Sequence, residues 1–107
     1  MKELIERRTL EQFISDVSDV FPRCVGGVLA DRHGFVLSSN MRTPEFDEND
    51  LALQAITERR IINTKQYIPI VKDLDKDNRI MLLVEEDSRN LAAYKKLYQV
   101  LRERNPF

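Results

Sequence analysis

The chain has 107 residues and a mass of 12.6 kDa, enough for one domain and too little for two. Its 17 basic and 18 acidic side chains leave a net charge of −1, and 42% of its residues are apolar, which argues against a disordered tail and against a nucleic-acid-binding chain with a basic excess. No apolar run approaches the ~18 residues of a membrane span, Met1 to Arg8 holds no signal-peptide core, and the single cysteine, Cys24, cannot staple the chain internally, so a cytoplasmic location is expected.

The first predicted element is a helix. Thr9-Leu10-Glu11-Gln12 has the spacing of a capping box, with Thr9 as N-cap. Leu10, Phe13, Ile14, Val17, Val20 and Phe21 then recur at three- and four-residue steps as one buried stripe, and Pro22 ends the helix. Residues 1–8 read as a frayed extension of a single domain covering 1–107. Cys24 to Ala30 is apolar on both faces and reads as a central strand, with Gly26 and Gly27 leaving room for close packing. Asp31-Arg32-His33-Gly34 is a tight turn. Phe35 to Asn40 alternates, with Phe35 and Leu37 on one face and Ser38 and Asn40 on the other.

Asp47 is the expected N-cap of a second helix, with acidic residues in its first turn. In that helix Leu51, Ala52, Leu53, Ala55, Ile56 and Ile62 span an arc of about 200°, twice the usual stripe. Such a helix packs on its own sheet and against something else; the plainer alternative is that Leu53 is an ordinary exposed leucine. Lys65 to Leu74 is a third strand with Pro69 inside it, and a proline there marks an edge or a bulge. Arg79 to Glu86 is a second central strand. Asp87 or Ser88 caps a last helix, whose expected buried face is Leu91, Tyr94, Leu97, Tyr98 and Leu101. The predicted fold class is α+β in the order α-β-β-α-β-β-α, a single antiparallel sheet of four to five strands sandwiched by helices.

No catalytic constellation emerges. His33, the one histidine, stands at a turn tip rather than in a pocket, and Cys24 begins a buried strand with His33 at its far end. Asp73 to Asn78 has the look of a calcium loop, but Asn78 and Val84 stand where the motif needs Gly and Glu. The acidic run Glu45 to Asp50 coincides with a helix start and is explained by the dipole. Gly26-Gly27 matches no phosphate loop, and Arg59-Arg60 is too short for a nucleic-acid footprint. The expectation is a protein that is not an enzyme and has no cofactor and no metal site.

The segment from Val25 to Ser39 resembles the first hairpin of the roadblock / dynein light chain family, within the profilin-like superfamily. It has a small-residue strand, then Asp31-x-x-Gly34, then an apolar strand ending in serines. Leu82-Leu83-Val84 followed by Asn90-Leu91 is similar to the family's final strand and the start of its last helix, so the resemblance runs from Thr9 to Leu101. The resemblance implies a small dimerising domain, paired through the second helix (Leu51 to Ile62) and the following strand (Gln66 to Ile70). The pair docks a small Ras-like GTPase or scaffolds its regulatory complex. On that basis the expected pairing face is Leu51, Leu53, Ile56, Arg59 and Arg60, with Tyr67 and Ile68 beside it. The partner is a second copy or another roadblock-like chain. Pro69 favours pairing through the helix over continuation of the sheet. The other reading is a small-molecule-sensing, PAS-like domain with a pocket opened by Gly26 and Gly27 between sheet and helices.

Overall fold

A computed structural model describes residues 7–57, 67–85 and 91–107. They form α1 (Arg7–Ser18), β1 (Cys24–Asp31), β2 (Val36–Met41), α2 (Glu48–Thr57), β3 (Tyr67–Asp73), β4 (Asn78–Glu85) and α3 (Leu91–Arg104). The four strands make one antiparallel sheet in the order β2-β1-β4-β3. The expected element order and α+β class are therefore observed, and the two strands read as central, β1 and β4, occupy the middle.

Strand pleat explains why those two strands are apolar throughout. Leu29, Ile80, Leu82 and Val84 face α1 and α3, in a core with Phe13, Ile14, Val17, Phe21 and Leu97. Val28, Ala30, Met81 and Leu83 point the other way, against Leu51, Ala52 and Ala55 of α2. The domain has two cores, one on each side of the sheet.

Glycine sets the closest approach between layers. A Cβ on Gly27 would lie 2.8 Å from Leu82 Cδ2, 3.1 Å from Ser18 Oγ and 3.2 Å from Ile14 Cδ1. Ser18 is buried and its hydroxyl donates to the Ile14 carbonyl at 2.7 Å, so a small residue on α1 meets a missing one on β1. On the opposite face, Met41 fills the space beside Gly26.

Several local expectations are corrected. Thr9 is no N-cap, because the helix already runs from Arg7. Val20 and Phe21 lie beyond the end of α1 at Ser18 but remain buried, and Phe21 meets Tyr94 edge to face with centroids 5.3 Å apart. The register of β1 with β2 shifts between Leu29 and Ala30, so the alternation read from Phe35 to Asn40 is broken. Phe35 is 68% exposed while Ser38 is buried. In α3, Ala93 and Leu97 are buried but Leu91 and Tyr98 are not. Tyr94 and Leu101 pack half-buried against the same core, as expected, and Ala93 takes an inward place that Leu91 and Tyr98 do not.

Pro69 stands on an edge strand, as expected. Leu74 N–H donates to Asn78 C=O at 2.9 Å, and the β3–β4 register continues without a shift. Alternate residues from Leu74 backward therefore bond to β4, and the nitrogens of Tyr67, Pro69, Val71 and Asp73 point away from it. The proline removes no bond from the sheet. The predicted cap of α3 at Asp87 or Ser88, the extension of α2 to Ile62 and the start of β3 at Lys65 lie outside the described residues.

Candidate partner-binding surface

Helix α2 begins where Asp47 Oδ1 accepts the Asn49 N–H at 2.7 Å, the capping bond expected from the sequence. Its inner residues are Leu51, Ala52, Gln54 and Ala55. Leu51, assigned to the pairing face by resemblance, is 1% exposed and sealed against the sheet. Leu53 lies on the outer side at 41% exposure, and Ile56 is half-buried on its flank. The wide apolar arc is thus divided: among the described residues most of it is the domain's own core, and Leu53 and Ile56 are what is left over. Leu53 also shields the β1–β2 turn, because a Cβ on Gly34 would stand 2.9 Å from its Cδ2. Arg59 and Arg60 lie outside the described residues.

Tyr67 and Ile68 follow one another on β3 and so face opposite sides. Ile68 packs with the α1 and α3 core, whereas Tyr67 is on the α2 side. Tyr67 contacts Phe46 edge to face at 5.5 Å and donates its hydroxyl to Glu45 at 3.1 Å. That bond to the carboxylate holds the phenol above its usual range. Of the seven residues proposed for the surface, the structure brings Leu53, Ile56 and Tyr67 to the α2 side. It places Leu51 beneath them and Ile68 on the far face.

Ion pairs fix the ends of this surface. Arg79 Nη1 donates to the Ala55 carbonyl at 3.0 Å, and its Nε pairs with Asp73 at 2.6 Å, tying the end of α2 to the β3–β4 hairpin. Arg32 reaches Asp77 at 3.6 Å, linking the tips of the two hairpins. Asp75 accepts the Asp77 N–H at 2.8 Å and the Asn78 side chain at 2.9 Å. The carboxylates that resembled a calcium loop are thus engaged in the turn itself. Among the described residues no group of three His, Cys, Asp or Glu side chains is placed to hold a metal.

His33 is exposed in a turn built by Asp31, whose Oδ1 accepts the His33 and Phe35 N–H groups at 2.9 and 3.1 Å. Cys24 is buried at the opposite end of β1, and burial pushes its thiol above the usual value. Cys24 Sγ donates to the Gly26 carbonyl at 3.3 Å and His33 Nε2 accepts from Arg32 Nε at 3.4 Å, and among the described residues neither meets the base or orienting carboxylate that nucleophilic or acid–base chemistry needs. Gly26 and Gly27 open no internal pocket, since Met41, Leu82, Ser18 and Ile14 occupy the space. A groove of about 800 Å³ does run along the outer edge of β2, between Arg7, Glu11 and Ser15 of α1 and Glu48 and Asn49 of α2. Sequence reasoning missed it because its walls come from segments about forty residues apart. No described helix is long and apolar enough to cross a membrane.

No protein-family model matches the sequence, and no curated protein matches it either. Solved structures do match the fold. A roadblock/LC7 domain from Streptomyces avermitilis superposes with a TM-score of 0.65 at 12% identity, over 90% of this chain and 94% of that one. MglB in a tetrameric arrangement gives 0.65 at 15% identity, over 96% and 88%. MglC from Myxococcus xanthus gives 0.53 at 12%, over 92% and 94%. The fold is roadblock-like along nearly the whole chain, as the Val25–Ser39 hairpin and the last strand led one to expect.

Proposed function

We propose that this chain is a non-catalytic pairing module. It associates with a second copy or with another roadblock-like chain, and in the paired form it binds a small Ras-like GTPase or scaffolds the complex that regulates one. The observation that carries this reading is the match of the fold, over 90% and 96% of the chain, to a roadblock/LC7 domain and to MglB. The tetrameric arrangement named for that MglB structure supports association as a property of such folds.

The pairing face is the outer side of α2, with Leu53 and Ile56 at its centre and Tyr67 beside it. Arg59 and Arg60 meet acidic residues of the partner at the rim, where charge governs encounter rate and orientation more than affinity. Leu51 acts from beneath, by fixing the helix on the sheet. Pro69 keeps the pairing on the helix, because a copy adding its own strand to β3 meets a missing donor there.

Light scattering over a concentration series tests this, with the Leu53→Asp, Ile56→Asp double variant alongside. Wild type is expected as a dimer or larger, and the variant as a folded monomer. An oligomeric wild type whose mass is unchanged in the variant refutes α2 as the pairing face. Binding of GTP- and GDP-loaded small GTPases to the wild type then tests the second half of the proposal.

A further inference from the structure

Helix α3 turns Leu91 and Tyr98 outward, although both belong to the apolar stripe expected to face the core. Leu91, Lys95, Tyr98 and Arg102 follow at four-, three- and four-residue steps and so stand in one line. Leu91 is 83% and Tyr98 53% exposed, and Lys95 and Arg102 are exposed with them. Lys72 of β3 joins the line. Its ammonium donates to the Tyr98 hydroxyl at 2.9 Å and lies 4.9 Å from the ring centroid. The other flank of α3, toward α1, differs in kind: Lys96, Glu103 and Arg104 share a groove with Asp16 and Asp19 there, and Arg104 pairs with Asp16 at 2.8 Å.

Arg7, Arg23, Arg32, Arg42, Arg79 and Arg104 each hold a carboxylate. Lys72, Lys95 and Arg102, like Arg8, Lys76 and Lys96, hold none among the described residues, and no acidic side chain stands between Leu91, Lys95, Tyr98 and Arg102 in their line. What sets this flank apart is that three such cations surround two of the few large apolar side chains exposed among the described residues, Leu91 and Tyr98.

We propose that this flank of α3, together with Lys72, docks the protein on an anionic membrane surface. The mixture is that of an interfacial helix: an apolar residue to enter the boundary, an aromatic with a polar tip to sit at it, and long cations to reach the phosphates. The flank is the convex side of a helix, and the grooves described above lie elsewhere. Flexible cations on a convex surface suit a planar, deformable layer of headgroups better than a rigid partner that must match their positions. The inference rests on α3 and β3 alone and does not need the α2 pairing.

Each cation near an anionic leaflet raises partitioning about fivefold, so three raise it by about a hundredfold. The experiment is flotation of the full chain with vesicles of phosphatidylcholine alone and of phosphatidylcholine mixed equally with phosphatidylserine. Wild type is expected to float with the mixed vesicles only, and to be released by salt. The Lys95→Glu, Arg102→Glu variant is expected to lose this binding, and Leu91→Ala to weaken it, both with unchanged urea midpoints because the side chains are exposed. Failure of the wild type to float at low salt overturns the proposal, as does a double variant that floats like wild type. If vesicles fail and the double variant instead alters the mass of the chain in solution, the flank belongs to a protein contact and the membrane assignment is wrong.

Discussion

Replacing Gly27 by alanine tests the account of how the layers meet. The new methyl would stand 2.8 Å from Leu82 Cδ2, 3.1 Å from Ser18 Oγ and 3.2 Å from Ile14 Cδ1. The leucine methyl ends a flexible side chain and moves cheaply. The Ile14 methyl ends a side chain too, but it is wedged in a filled core, and the Ser18 hydroxyl is held in place by its 2.7 Å bond to the Ile14 carbonyl. Overpacking a filled core costs about 1–3 kcal/mol, and the loss of glycine freedom in the unfolded chain returns about 0.4–1 kcal/mol. The net expectation is a destabilisation of about 1–2 kcal/mol, or a fall in Tm of about 5–10 °C for a domain of this size. Urea unfolding monitored by circular dichroism reads it, with an unchanged m-value. Gly26→Ala is the internal control, because its methyl would meet only the thioether end of Met41 at 2.9–3.0 Å before reaching backbone at 3.6 Å. Combining Gly27→Ala with Ser18→Ala should recover part of the loss, since the two sites couple through one contact. If Gly27→Ala is as stable as wild type, or less damaging than Gly26→Ala, the close α1–β1 approach is not where the packing is tightest.

Gly34 has φ 85° in the β1–β2 turn and faces Leu53. Gly34→Ala is expected to cost about 1–2 kcal/mol in urea unfolding, from left-handed backbone strain with a displaced Leu53 adding to it. Cys24 titrates higher in the folded protein than its ordinary 9.0, chiefly through burial. The folded state therefore holds its proton more tightly, and the stability this gives is complete below 9.0 and lost as pH rises through the folded value. Wild type should lose more stability than Cys24→Ala above pH 9.0, read from urea midpoints, and parallel slopes would contradict the burial. The native thiol should also react with an aromatic disulfide reagent only as fast as the chain opens.

The elements were legible in the sequence because each rests on a local signal. Apolar residues on both faces placed β1 and β4 at the centre, Pro69 marked an edge, and Asp47 marked the start of α2. What stayed hidden depends on phase or on distant segments. Alanine and tyrosine compete for the buried face of α3, and periodicity alone favoured the larger residues; the sheet accepted Ala93 and left Tyr98 outside. The bulge in β2 leaves no mark in composition, so a strict alternation from Phe35 to Asn40 assigns the wrong faces there. In the candidate surface, the breadth of the apolar arc on α2 was plain. Its division between core and exterior was not, because that division is set by where β1 and β4 lie beneath the helix.

The outward nitrogen of Pro69 bears on solubility. Tyr67-Ile68-Pro69-Ile70-Val71 is, apart from its middle residue, a short segment of high strand propensity with no charge, and it occupies the rim of a sheet. Such a rim is a template for stray chains, and in crowded solution or during synthesis it can nucleate fibrils. The pyrrolidine ring breaks the row of donors at its centre at no cost to the native ladder. One residue thus leaves the folded domain intact while making its edge a poor seed for growth.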